Sequence, residues 1–210
     1  VYVGYQFGNY YRINTETGQR KYITPRNDIG ETAYRFNWRT PLLMSAFNPD
    51  ILYIGAQKVF RSFNQADEWE TLSGDLTRDL PQGNVPYSTI TVLEESPLEF
   101  GTLYAGTDDG NVVVSRDAGY SWSFLNTGLP PRKWVTSIHP SSFDKATVFI
   151  SLTGYRDDDF TTYLYKSENY GKNWKPVSGH LEHEPVNIIL EDPVKEGLLY
   201  LGTDHGTYLS

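Results

Sequence analysis

The feature that most limits what this chain can fold into is a repeat. An aromatic, an aliphatic and a small residue recur in succession as Tyr2-Val3-Gly4, Tyr53-Ile54-Gly55, Tyr104-Ala105-Gly106, Phe149-Ile150-Ser151 and Tyr200-Leu201-Gly202. Successive copies are 51, 51, 45 and 51 residues apart. Self-similarity at this period marks a stack of supersecondary units, each unable to bury its apolar face alone. The residues available, 16 Tyr, 10 Phe and 5 Trp beside 18 Gly and 12 Pro with a single Met, suit short strands and tight turns rather than helices.

A second element follows the second, third and fourth copies: SFNQADEW from Ser62 to Trp69, SRDAGYSW from Ser115 to Trp122, and SENYGKNW from Ser167 to Trp174. Their shared form is S-x-D/N-x-G/A-x-x-W. Asp109-Gly110 and His205-Gly206 add two-residue hairpin signals in which the glycine can take a positive φ. Each period then holds four short strands; in the third copy they are expected near 88–94, 102–106, 111–115 and 121–125. A four-stranded meander repeating every ~40 to 50 residues is the pattern of a β-propeller, whose radial packing leaves only short, protected edges. The expected fold is all-β: the end of one blade at 1–36, blades at 37–85, 86–132 and 133–182, and the start of another at 183–210. Tyr2 and Tyr200 carry the same second-strand element, so joining the ends would duplicate a strand instead of supplying a missing one. The blades are therefore expected to be an incomplete part of a larger propeller.

The second element resembles the Asp-box (BNR) hairpin found in sialidases, sortilins and related propellers. It is most complete at Ser115, Asp117, Gly119 and Trp122, carries Asn at Asn169 with Ser167, Gly171 and Trp174, and is most degraded at Ser62, Asn64, Ala66 and Trp69. A short acidic or amide side chain accepts hydrogen bonds from the turn backbone, glycine supplies positive φ, and tryptophan covers the hairpin base. These residues read as a folding device, and Asp117 earns no catalytic role from the motif.

Three longer stretches resemble sortilin-like Asp-box propellers of large bacterial secreted proteins, a group commonly labelled glycosyl hydrolases. They are NWRTPLLMSAFNPDILYIGAQKVFRSFNQADEWETLSGDLT from Asn37, GYRDDDFTTYLYKSENYGKNW from Gly154 and VNIILEDPVKEGLLYLGTDHGTYLS from Val186, together about half of the chain. The resemblance implies a secreted or cell-surface bacterial protein and no particular substrate, because the hydrolase label rests on the structural box. Where that group has Gly-His-Arg, this chain has Gly154-Tyr155-Arg156, which removes any role needing imidazole there.

A formal charge of −8 argues against nucleic acid as the main partner, since binding a phosphate backbone takes a basic face. With no Cys, disulfides and thiolate metal sites are excluded, and no apolar run is long enough to span a bilayer. Catalytic residues are not identifiable. Arg35, Arg39, Arg61, Arg78, Arg116, Arg132 and Arg156 follow no sialidase pattern, and paired carboxylates on different blades are invisible in sequence. His180 and His183 have zinc-ligand spacing only if helical, and SGHLEHEP reads as an inter-blade loop.

One segment exceeds what a blade needs: an insertion at 154–163, expected as a loop between the second and third strands of its blade. Arg156, Asp157, Asp158, Asp159 and Phe160 make it the candidate ligand-binding element, because functional residues gather on such loops and clustered carboxylates suit a hard cation such as calcium. No other cofactor is implied. The leading expectation is a non-catalytic extracellular binding or scaffold propeller with a protein or carbohydrate ligand. The alternative is a secreted Asp-box glycoside hydrolase, which a cleft with two facing carboxylates and stacked aromatics would favour.

Overall fold

The structure is a computed structural model that describes residues 1–210. It is all-β, with five antiparallel meanders and no α-helix. The first sheet holds β1 (Tyr2–Tyr5), β2 (Asn9–Ile13) and β3 (Arg20–Tyr22). The second holds β4 (Leu42–Met44), β5 (Leu52–Gly55), β6 (Val59–Ser62) and β7 (Glu70–Thr71). The third holds β8 (Ile90–Glu95), β9 (Leu103–Thr107), β10 (Val112–Ser115) and β11 (Ser123–Phe124). The fourth holds β12 (Trp134–Pro140), β13 (Val148–Gly154), β14 (Asp159–Ser167) and β15 (Lys175–Pro176). The fifth holds β16 (Val186–Glu191), β17 (Leu199–Thr203) and β18 (Thr207–Leu209). The first strands β4, β8, β12 and β16 stand side by side around one cleft, as the innermost strands of propeller blades do. The first sheet has no counterpart of such a strand, and the fifth has none of an outermost one, so the chain forms an incomplete propeller segment.

The core lies between sheets. Tyr53, Val59, Leu93, Leu103 and Val113 fill the seam between the second and third sheets, and Val112, Leu125, Val135, Ile150 and Leu152 fill the next. This explains the repeated triplet. Its aliphatic member faces a seam, and its small member lets the next blade come close: a Cβ on Gly55 would meet Ile90 at 2.8 Å, and one on Gly106 would collide with Val135. Apolar area removed from water at each seam, worth roughly 25 cal/mol per Å², is what binds blade to blade.

Polar staples cross alternate seams. The Ser45 hydroxyl donates to buried Glu95 at 2.6 Å, and Glu95 also accepts from the Tyr53 hydroxyl and the Gly101 N–H. Ser141 donates to Glu191 at 2.6 Å, and Glu191 accepts from the Gly197 N–H. By strand register, Pro140 holds the corresponding position in the fourth sheet. The buried Tyr104 hydroxyl, counterpart of that of Tyr53, consequently has no hydrogen-bond partner.

Two expectations need correction. The 154–163 segment is not a loop: β13 runs to Gly154, β14 starts at Asp159, and Leu152 pairs with Tyr163. The β-prone run Phe160-Thr161-Thr162-Tyr163 extends the ladder, leaving a single 3-10 turn, Tyr155–Asp157, closed by Asp158 at φ 54°. Gly110 takes the expected positive φ, 88°, but Gly206 does not. That hairpin is closed by bonds between Thr203 and the Gly206 carbonyl instead.

Candidate functional site

The three S-x-D/N-x-G/A-x-x-W segments form one hairpin geometry. Ser115 Oγ donates to Asp117 at 2.8 Å and accepts from the Gly119 N–H, while Asp117 accepts from the Ser121 N–H. Ser167, Asn169 and Gly171 repeat these bonds, as do Ser62, Asn64 and Ala66. The backbone turns through two positive-φ residues, Ala118-Gly119, Tyr170-Gly171 and Gln65-Ala66, so even the degraded copy keeps the shape. The half-buried tryptophans reach across the seam to the residue that follows the preceding blade's last strand. Trp69 Nε1 donates to the Ile23 carbonyl, Trp122 to that of Leu72 and Trp174 to that of Leu125. Hydrogen bonds from Ser121 hold the Asp117 carboxyl below the usual carboxylate range. Its oxygens are engaged within the turn.

At the tip of the β13–β14 hairpin the acidic residues do not converge. Lys133 Nζ lies 2.7 Å from Asp159 and 3.7 Å from Asp157, and Asp159 also accepts from the Tyr163 hydroxyl. The Lys133 contact holds the Asp159 carboxyl well below its ordinary range. Asp158, in the left-handed turn position, is exposed. No group of three His, Cys, Asp or Glu side chains is assembled here or elsewhere, so the calcium expectation finds no ligand set; an ammonium stands between two of its three carboxylates. His180 and His183 are likewise exposed and belong to no such group. Phe160 is exposed and is not among the residues lining the cleft that Arg156 lines.

That cleft, about 1250 Å³, runs along the four first strands. Of the insertion's five candidate residues, Arg156 alone lines it; its guanidinium lies 4.2 Å from the centre of the Trp134 ring and its Nε donates to the Tyr155 hydroxyl. Trp38 and Arg39 line the same cleft, where Trp38, 57% exposed, meets Phe7 edge-on. Neither Arg39 nor Arg156 is in an ion pair; burial raises the pKa of Asp108, and the charge of Arg156 offsets that only in part. Asp108 is engaged with Thr89, through the backbone N–H and the hydroxyl, and with Asn37.

Glu94 is the only carboxylate lining the cleft. Burial pushes its carboxyl up to about 7. Its counterpart on β12, His139, accepts the Glu191 N–H at Nε2, and burial keeps that imidazole neutral by lowering its pKa. Opposite Glu94 the corresponding residue is Pro140, which has no N–H to give. In the sequence Arg39 stands only among arginines that follow no pattern, and Trp38, Trp134 and Glu94 carry no functional signal of their own. They lie on or just before first strands, outside the triplet and the box, and the parallel runs Trp38-Arg39-Thr40 and Trp134-Val135-Thr136 were the available signal.

Sheets arranged in this way define a β-propeller, and solved propellers superpose on the chain. A GH74 xyloglucanase from Xanthomonas campestris matches with TM-score 0.65 and 20% identity over 96% of this chain and 31% of its own. A GH74 enzyme from Niastella koreensis matches with TM-score 0.66 and 16% identity over 98% and 31%, and YCF48 bound to a D1 peptide with TM-score 0.61 and 13% identity over 100% and 60%. At these identities the likeness is one of fold. In sequence, the chain is similar to the Vacuolar protein sorting/targeting protein 10 of the fungus Laccaria bicolor, 35% identical over 131 residues. That match covers 56% of the chain and only 8% of the relative. No protein-family model matches the chain.

Proposed function

We propose that the chain is part of a secreted or cell-surface, sortilin-like binding propeller whose blades are closed by Asp-boxes, and that its ligand is held at the cleft mouth by Arg156 with Trp134, Trp38 and Arg39. The observation that carries this reading is Arg156 itself: a guanidinium on an aromatic face, turned to a cleft, with three aspartates next in sequence and no ion pair to any of them. Arginine and tryptophan are the residues that most often dominate binding energy at recognition surfaces. Glycoside hydrolysis calls for two carboxylates across a sugar cleft, and this one is lined by Glu94 alone, so the GH74 likeness fits the hydrolytic alternative only weakly and no better than the binding reading.

The test is a screen of the chain against arrays of peptides and of oligosaccharides, followed by titration of each hit. Arg156→Ala should weaken binding at least about tenfold with little change in thermal midpoint, as expected where a charged hot-spot contact is lost. Arg116→Ala, on the outer rim, should leave it unchanged. Equal binding by wild type and Arg156→Ala would remove the cleft from the function.

A further inference from the structure

The Lys133 side chain is 15% exposed, between the β13–β14 hairpin and the start of β12, one residue before the tryptophan on which Arg156 rests. It is held by Asp159 at 2.7 Å, approached by Asp157 at 3.7 Å, and closed in by the bare Gly154, where an added Cβ would come within 2.7 Å of Nζ and 2.9 Å of Asp159. Asp157 is adjacent to Arg156 in a single 3-10 turn, and a long guanidinium arm can fold back on a neighbouring carboxylate. Lys133 competes for both acids from the other side. Arg156 is thereby left to stack on Trp134 and face the cleft, as Arg39 does from the second blade. Asp108, the other carboxylate that feels Arg156, is 3% exposed and already engaged with Thr89 and Asn37.

We propose that Lys133 is the positioning residue that sets the charge of the cleft mouth: by taking Asp157 and Asp159 it leaves Arg156 unpaired, and with Arg39 this makes the mouth an attractor for anionic groups on an otherwise acidic protein. This rests on the cleft being the binding site, and it names the ligand chemistry. The ligand brings an oxyanion to Arg156 and Arg39 and an apolar or planar surface to Trp38 and Trp134.

The prediction can be read without any ligand, by quenching the fluorescence of Trp134, isolated as the difference between each protein and its Trp134→Phe version. Iodide probes for an anion attractor, caesium for a cation attractor, and acrylamide for bare exposure. In the wild type, iodide should quench Trp134 at least twofold more effectively than caesium at equal acrylamide quenching. Lys133→Met should lower the iodide-to-acrylamide ratio at least twofold, because the freed acids turn to Arg156. Adding Asp157→Asn and Asp159→Asn to Lys133→Met should restore it, a rescue that a purely structural lysine would not give. If Lys133→Met does not fold, Asp157→Asn with Asp159→Asn in the wild type must still raise the iodide ratio. Equal iodide and caesium quenching in the wild type, or a ratio indifferent to these changes, overturns the proposal. A normal quenching pattern combined with ligand binding that ignores Arg156→Ala would instead overturn the functional reading and leave the charge arrangement standing.

Discussion

Tyr53 and Tyr104 hold equivalent places in consecutive sheets, both fully buried, yet only Tyr53 has a partner for its hydroxyl. The difference originates one blade away, where Pro140 replaces the glutamate that Glu95 supplies to Tyr53. An unpaired buried hydroxyl costs about 1 to 3 kcal/mol, and deleting it leaves packing almost unchanged. Tyr104→Phe should therefore stabilise the chain by about 1 kcal/mol, raising the thermal midpoint by roughly 2 to 4 °C for a domain of this size. Tyr53→Phe should move it the other way, since it strips a donor from buried Glu95. Parallel melts of the two variants decide the matter: shifts of the same sign would mean that the hydroxyls are solvated alike.

Among the elements, the three S-x-D/N-x-G/A-x-x-W hairpins each add a polar clasp to an apolar seam. Trp174 packs on the core between the third and fourth sheets while its indole N–H donates to the Leu125 carbonyl at 2.8 Å. Because the ring is only half-buried, Trp174→Ala should cost about 2 to 3 kcal/mol, less than the loss of a fully buried tryptophan. Urea unfolding gives the value, and an unchanged midpoint would count against the hairpin as a seam clasp. On the first strand β8, Glu94 makes stability fall with rising pH. Its folded pKa lies above the unfolded one, so the folded chain holds its proton longer; this contribution is complete below about pH 4.5 and is lost as pH rises to about 7. The full swing is at most roughly 3 kcal/mol. Glu94→Gln should flatten the stability-pH profile in that window, and a profile identical to wild type would show that Glu94 titrates normally. Elements such as these differ in how far sequence reveals them. The hairpins were legible because turn chemistry is local, with Ser115, Asp117 and Trp122 sitting at fixed offsets. The extension of β14 through Phe160 to Tyr163 was hidden because charged Asp157-Asp158-Asp159 outweighed the β-prone run behind it. The cleft could not be read at all. Arg39, Glu94, Trp134 and Arg156 come from three blades, and only the radial packing of the sheets brings them to one surface.

For the whole molecule, the free rims of the first and last sheets matter most. β1 has β2 on one side and nothing on the other, and β18 likewise pairs only with β17. Val3 and Tyr5 on β1 are 44% and 58% exposed, and Leu209 on β18 is 62% exposed. Unpaired backbone beside apolar side chains is a template for another strand. The 210-residue chain should therefore self-associate as its concentration rises, and Val3→Lys should suppress this, as lysine on natural edge strands does. Multi-angle light scattering provides the check; a monomer at every concentration would sink the idea. The alternating staples carry a different consequence. Ser45 and Ser141 are 96 residues apart, as are Glu95 and Glu191 and the cleft tryptophans Trp38 and Trp134, whereas the blades themselves recur at 45 to 51. The serine recurs in the sheet between as Ser96, so the alternation lies in its neighbour: Glu95 and Glu191 alternate with Met44 and Pro140 at one strand position, and only every second interface can close the same lock.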